Sequence, residues 1–265
     1  MKLQISHTTE YSFDQPVEYA LQKVRLRPMS GPTQQVGDWA LAIEGGTLET
    51  GYRDHYGNLV DLVSANEGTQ KLTVTATGMV ETLNTTGVLG MVFGRMPLWH
   101  FQSTTPQTEP GAHTEPFAKV IRQGETTLQG LHDALAAIIE AVPYATGQTR
   151  NDTTAEEAIE IGKGVCQDHA HIMIAAARQA GLPARYISGY LMMNDRVDQD
   201  ASHAWAEVYI NDLGWVGFDV SNGVSPDERY VRIAIGRDGR EAAPISGLRL
   251  GNADETMIVS LQVQQ

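Results

Sequence analysis

The spacing of hydrophobic positions changes period twice along the chain. From Met1 to about Ser103, short extended runs alternate with turn residues. Leu3, Ile5 and Thr9, and later Leu72, Val74 and Ala76, alternate with polar positions as in a half-buried strand. Asp54-His55-Tyr56-Gly57-Asn58 lies between such runs and reads as a tight hairpin turn, and Trp39, close to Leu41 and Ile43, reads as core. The stretch Ser103–Pro116 holds three prolines, four threonines and one glycine, so it cannot continue a helix. Beyond it the apolar spacing becomes three and four. Leu128, Leu131, Leu135, Ile138, Ile139 and Val142 form one helical stripe that ends near Pro143. Thr154-Ala155-Glu156-Glu157 has the form of a capping box and predicts a second, short helix. A third helix carries the apolar run Ile172–Ala177 and stops at Gly181, with Pro183 beyond it. The period then returns to two over Ala184–Leu191, Ala201–Ile210, Trp215–Val220, Tyr230–Ile235 and Met257–Val263. Helices followed by a run of strands predict an α+β fold with an antiparallel sheet. The expected organisation is a β-rich amino-terminal domain over 1–104, a linker over 105–116 and an α+β core over 117–265.

Composition narrows the possible partners. A chain of 265 residues with 42% hydrophobic content can bury its own core. Nineteen basic against 32 acidic residues give a net charge of −13, which opposes long-range attraction to nucleic acid or to an anionic membrane. No apolar run approaches the roughly 18 residues of a bilayer span. A single cysteine forms no internal disulfide, and Met1–Ser12 has no continuous apolar core of the kind a signal peptide needs, so a cytoplasmic location is expected.

That cysteine lies in Gly162-Lys163-Gly164-Val165-Cys166-Gln167-Asp168-His169-Ala170-His171, where a glycine-rich turn becomes a helix. An isolated cysteine usually behaves as a small buried hydrophobe. Here its neighbours Gln167, Asp168 and His169 make a poor apolar pocket. In the first turn of a helix, unpaired amides and the positive end of the dipole favour a thiolate and can hold an oxyanion.

A nucleophilic thiol needs a base and a group that orients it. In the strand Ala201–Ile210 the odd positions carry His203, Trp205, Glu207 and Tyr209, marking one face as functional or wet; the next strand presents Asp219. If the connection around Asn211–Leu213 has an odd number of loop residues, His203 and Asp219 share a sheet face, opposite each other or one diagonal step apart. Taken singly, His203 reads as a hydrogen-bonded core histidine and Asp219 as a turn cap.

Together, Gly-Val-Cys-Gln-Asp-His-Ala-His, Gly-Leu-Pro-Ala-Arg-Tyr-Ile-Ser-Gly-Tyr-Leu, Ser-His-Ala-Trp-Ala-Glu-Val-Tyr and Gly-Trp-Val-Gly-Phe-Asp resemble the bacterial transglutaminase-like family. The resemblance runs from about Thr154 to Asn222, and the β-rich first half is similar to the region that precedes this core in the bacterial branch, some members of which are described as cysteine proteases. It implies a papain-like core, with Cys166 as nucleophile, His203 as base and Asp219 as orienting carboxylate. Val220-Ser221-Asn222 departs from the Pro-Thr-Asn common in the family, which frees one backbone N–H and one φ angle. The second oxyanion donor is not fixed by a motif; Tyr144 is a candidate, although packing is the role expected of it. Trp205 and Trp215 are candidate walls of a substrate tunnel, or packing residues of the sheet. His169 and His171 raise a metal site with Cys166 and His203, but residues two apart at a helix start diverge around its axis, so no metal or other cofactor is expected.

The function expected is a cysteine-dependent hydrolase of amide or peptide bonds acting through a thioester, with a peptide or amide substrate. The alternatives are acyl transfer from protein glutamine to an amine, as in a transglutaminase, and a non-catalytic binding module on the same fold. Oligomeric state is not legible.

Overall fold

The computed structural model describes residues 1–92, 96–251 and 254–265. Seven strands come first: β1 (Lys2–Phe13), β2 (Tyr19–Arg27), β3 (Gln34–Glu44), β4 (Gly46–Arg53), β5 (Leu59–Ala65), β6 (Lys71–Thr82) and β7 (Val88–Gly90). Four helices follow: α1 (Glu115–Gln123), α2 (Thr127–Ala141), α3 (Ala155–Ile161) and α4 (Cys166–Gln179). The remaining strands are β8 (Ala184–Leu191), β9 (Asp198–Gln199), β10 (His203–Ile210), β11 (Gly214–Phe218), β12 (Tyr230–Gly236), β13 (Ile245–Leu250) and β14 (Glu255–Gln264). This is the α+β class expected, with amino-terminal strands ahead of a core whose sheet, β12-β8-β10-β11-β7, is antiparallel throughout. The other two sheets are β3-β6-β1-β14-β9 and β13-β2-β5-β4.

The sheets exchange strands across the expected boundary. β7, from the first half, adds to the core sheet beside β11, while β13 and β14, from the end of the chain, pair with β2 and β1. The segment 117–265 therefore does not close on itself: its last two strands complete the amino-terminal sheets. The hairpin turn at 54–58 forms as its residues dictate, with Asp54 accepting the amides of Tyr56 and Asn58 and Gly57 at φ 92°. Asn58, fully buried, then docks that turn on the core, donating to the Ile235 carbonyl at 2.8 Å and accepting its amide at 2.9 Å.

The stretch 105–116, expected as a linker, is tightly held. Arg178 of α4, 7% exposed, donates to the Phe101 carbonyl and to Thr108 Oγ1, and on its far side to the carbonyls of Ala184 and Arg237. Pro116 sits in the first turn of α1, a helix that the sequence reading did not foresee; proline there removes an amide that has no helical partner anyway.

α4 is the centre of the core. Ile172, Met173 and Ile174 are fully buried between α2 and the β8–β10 sheet, each contributing about 1.5–3 kcal/mol relative to exposure. Its start is fixed by Asp168, whose carboxylate accepts the Val165 amide at 2.8 Å and the Thr149 hydroxyl at 2.7 Å. Gly164 is needed there, since a Cβ would collide with the Asp168 side chain. At the other end the Leu182 amide returns to the Ala177 carbonyl at 2.9 Å, with Gly181 at φ 87°, the stop its sequence predicts.

Candidate active site

Cys166 is the first residue of α4 and is half-buried. As an N1 residue it and Gln167 have backbone amides with no partner within the helix, so the thiol sits beside free donors. The pair His203–Asp219 is brought to it by β10 and β11. Their connection, Asn211–Leu213, has three residues, and Ala206 pairs with Phe218, so His203 and Asp219 fall on one sheet face a diagonal step apart.

His203 Nε2 donates to Asp219 Oδ2 at 2.6 Å, and His203 and Cys166 line the same groove. Burial opposes charge on this ring, but the hydrogen bonds and charges of Asp219 and Cys166 outweigh it, raising the His203 pKa to about 10. Burial would likewise disfavour a charged Asp219, yet its donors hold the carboxyl below its ordinary range. Two of those donors were not foreseen from the sequence. Asn222 Nδ2 lies 2.7 Å and the Tyr230 hydroxyl 2.8 Å from Asp219 Oδ2, while the Asn222 amide is 3.3 Å from Oδ1. The only prior signal for Asn222 was its place in the family's loop motif; nothing in the spacing marks Tyr230.

The other candidates part company. Tyr144 is 55% exposed, which excludes packing as its main role. Its backbone forms a parallel bridge with Gly164, two residues before Cys166, and burial raises its hydroxyl pKa. Trp205 is 3% exposed and packs behind His203, with ring centroids 6.2 Å apart, and against Tyr230. Trp215 is buried as well, under the Arg185 guanidinium at 3.9 Å from its ring centroid. Neither lines the groove that holds Cys166. The face of β10 read as functional or wet is buried except at Tyr209, which is half-buried: Glu207, 2% exposed, pairs with Arg185 and Arg232, and Gln34 of β3 holds the Arg232 backbone.

His169 and His171 point to different neighbours. His169 bridges the Ser221 hydroxyl at 2.8 Å and the Val142 carbonyl at 2.7 Å, tying α4 to the loops that flank it. His171 instead accepts the Gly239 amide at 2.9 Å. Ser221 thus has a defined task in the loop where the sequence departs from the family pattern.

Cys166 and His203 open on a groove of about 420 Å³ between the core and the amino-terminal sheets. One side carries Val165, Gln167 and Asn151; the other carries His7 and Thr9 of β1 with Met257 and Val259 of β14. The β region is therefore a wall of the site.

Comparison with known proteins agrees with this architecture. Residues 116–220 match the transglutaminase-like superfamily, and residues 3–81 match the bacterial transglutaminase-like N-terminal region. An uncharacterized protein of Mycobacterium leprae is 26% identical over 280 residues, covering 99% of this chain and 98% of its own length. A crystal structure from Cytophaga hutchinsonii, described as a "Putative Cysteine Protease", superposes with a TM-score of 0.79 at 25% identity, covering all of this chain and 91% of that one. A protein-glutamine gamma-glutamyltransferase of Pseudomonas aeruginosa is 29% identical over 148 residues, half of this chain but 22% of that protein. With both its core and its amino-terminal region matched, the chain belongs to the bacterial transglutaminase-like family.

Proposed function

We propose that the protein is a cysteine-dependent hydrolase of amide or peptide bonds that works through a thioester on Cys166. The observation that carries this reading is the His203–Asp219 hydrogen bond of 2.6 Å in a groove that His203 shares with Cys166 at the head of α4. The thiol proton passes to His203, whose imidazolium Asp219 stabilises. Sulfur attacks the carbonyl carbon, and the oxyanion meets the free amides at the head of α4. His203 returns the proton to the departing amine as the C–N bond breaks. Water then attacks the thioester through His203, the C–S bond breaks, and acid and thiol are restored.

The similarity to the Pseudomonas aeruginosa transferase favours a second reading, in which an amine replaces water. What supports hydrolysis is the wall of the groove. Transfer requires that an amine be positioned or water kept out, water being present at roughly 55 M. The two tryptophans that would have formed a tunnel are both buried elsewhere. The test is mass-spectrometric profiling of a peptide and glutamine-donor library with and without a labelled primary amine, on wild type and Cys166→Ala. Cys166-dependent hydrolysis with minor amine incorporation is expected; preferential incorporation of amine assigns a transferase instead. No Cys166-dependent product on any member favours the binding module.

A further inference from the structure

The segment from Arg237 to Pro244, between β12 and β13, forms a strap across one end of the groove, tied down from several directions. The Gly239 amide donates to His171 Nε2 at 2.9 Å, and burial keeps that imidazole neutral, with its pKa at about 3, so it stays an acceptor. Ser188 of β8 donates to the Ala242 carbonyl at 2.6 Å. Arg25 of β2 holds the far end, its amide 2.6 Å from the Pro244 carbonyl and its Nη1 3.3 Å from that of Ala243. Within the strap, Arg237 pairs with Glu241, which also accepts from Tyr56, and Asp238 accepts the Glu241 amide. A Cβ on Gly239 would lie 3.2 Å from His171 Nε2 and 3.5 Å from the side chain of Gln167, the residue after Cys166.

So firmly held a segment presents an exposed residue, Arg240, to the groove. Among the described residues, the charged groups that line that groove besides His203 are Arg240 and Asp200. Asp200 lies on the loop that leads into His203. Arg240 makes no side-chain hydrogen bond or ion pair among the described residues, although its neighbour Arg237 is matched and the chain carries 32 acidic residues. We propose that Arg240 is a specificity determinant that receives a carboxylate of the substrate, making the preferred substrate a short, carboxylate-bearing peptide or amide. A guanidinium offers a planar fork that matches a carboxylate with two parallel hydrogen bonds, and a fixed backbone lowers the cost of ordering it. The inference rests on the hydrolase reading for its turnover readout, but not for its binding readout.

The test uses acetylated, amidated hexapeptides in which Glu or its isostere Gln occupies each position in turn, and the same peptides with a free carboxyl terminus. Wild type, Arg240→Ala, Arg240→Lys and the remote charge control Lys119→Ala are compared, with thermal melting to establish folding. Wild type should prefer the carboxylate at one position by at least tenfold in kcat/KM, mostly through KM. Arg240→Ala should abolish that preference, Arg240→Lys retain part of it and Lys119→Ala all of it. Equal discrimination by wild type and Arg240→Ala, or none by wild type, overturns the proposal. If wild type turns over no peptide, calorimetric binding to Cys166→Ala decides. Carboxylate-dependent binding that Arg240→Ala removes upholds this inference while the hydrolase reading fails; its absence overturns this one too.

Discussion

His203 and Asp219 are 16 residues apart, the one opening β10 and the other directly after β11, yet Nε2 and Oδ2 meet at 2.6 Å. The carboxylate has further donors in Asn222 and Tyr230, so its position is fixed independently of the imidazole. Asp219→Asn should leave the fold intact and lower kcat/KM by on the order of 10²–10⁴. Tyr230→Phe, which removes one donor of several, should cost about 3–10-fold. Steady-state kinetics on a substrate found by library profiling checks both, and equal losses for the two variants would mean that Tyr230 does more than position.

The pH dependence of stability follows from the two shifts. The folded pKa of His203 lies above its ordinary value of 6.5, so its contribution is complete below about pH 6.5 and is lost as pH rises toward the folded value of about 10. Asp219 is shifted downward, so its contribution is present above the ordinary carboxyl range and is lost on acidification. Wild type should therefore exceed Asp219→Asn in stability most clearly between about pH 4 and 6.5, with the gap narrowing toward pH 9. Urea unfolding at a series of pH values measures it; a gap that widens with alkaline pH would contradict the assigned pairing.

Gly189 pairs with His203 across β8 and β10, and a Cβ there would collide with the Val231 carbonyl and the Trp205 ring. Because Trp205 packs against His203, Gly189→Ala should destabilise the protein by about 1–3 kcal/mol and reduce turnover together. Chemical denaturation and kinetics on the same preparation test this. Full stability with full activity would show that the sheet relaxes at no cost.

Much of this arrangement was legible because it is local. Gly164, Cys166 and the apolar run behind them announce a helix entry, Thr154 and Glu157 form the capping box their types predict, and the three-residue turn sets the parity that unites His203 with Asp219. What was not legible depends on contacts between distant segments. Alternation on β10 marked a distinct face but could not tell water from a buried Arg185–Glu207–Arg232 cluster. Trp205 has the composition of a wall and the position of a support. The return of β13 and β14 to the amino-terminal sheets has no local signature, and with it the groove acquires Met257 and Val259. Tyr230 reaches Asp219 only because β12 lies beside β8, a relationship set by sheet order.

The central claim, that Cys166 forms an acyl-enzyme which water resolves, is tested most directly by intact-protein mass spectrometry. Wild type is mixed with a p-nitrophenyl ester of an acetylated peptide, quenched in acid at short times, and run in parallel in H₂¹⁸O with Cys166→Ala and His203→Ala. The predicted result is one acyl addition on wild type, localised to Cys166, decaying as ¹⁸O enters the product acid, and no addition on Cys166→Ala. An adduct at another residue, or ester turnover by Cys166→Ala at the wild-type rate, would contradict it.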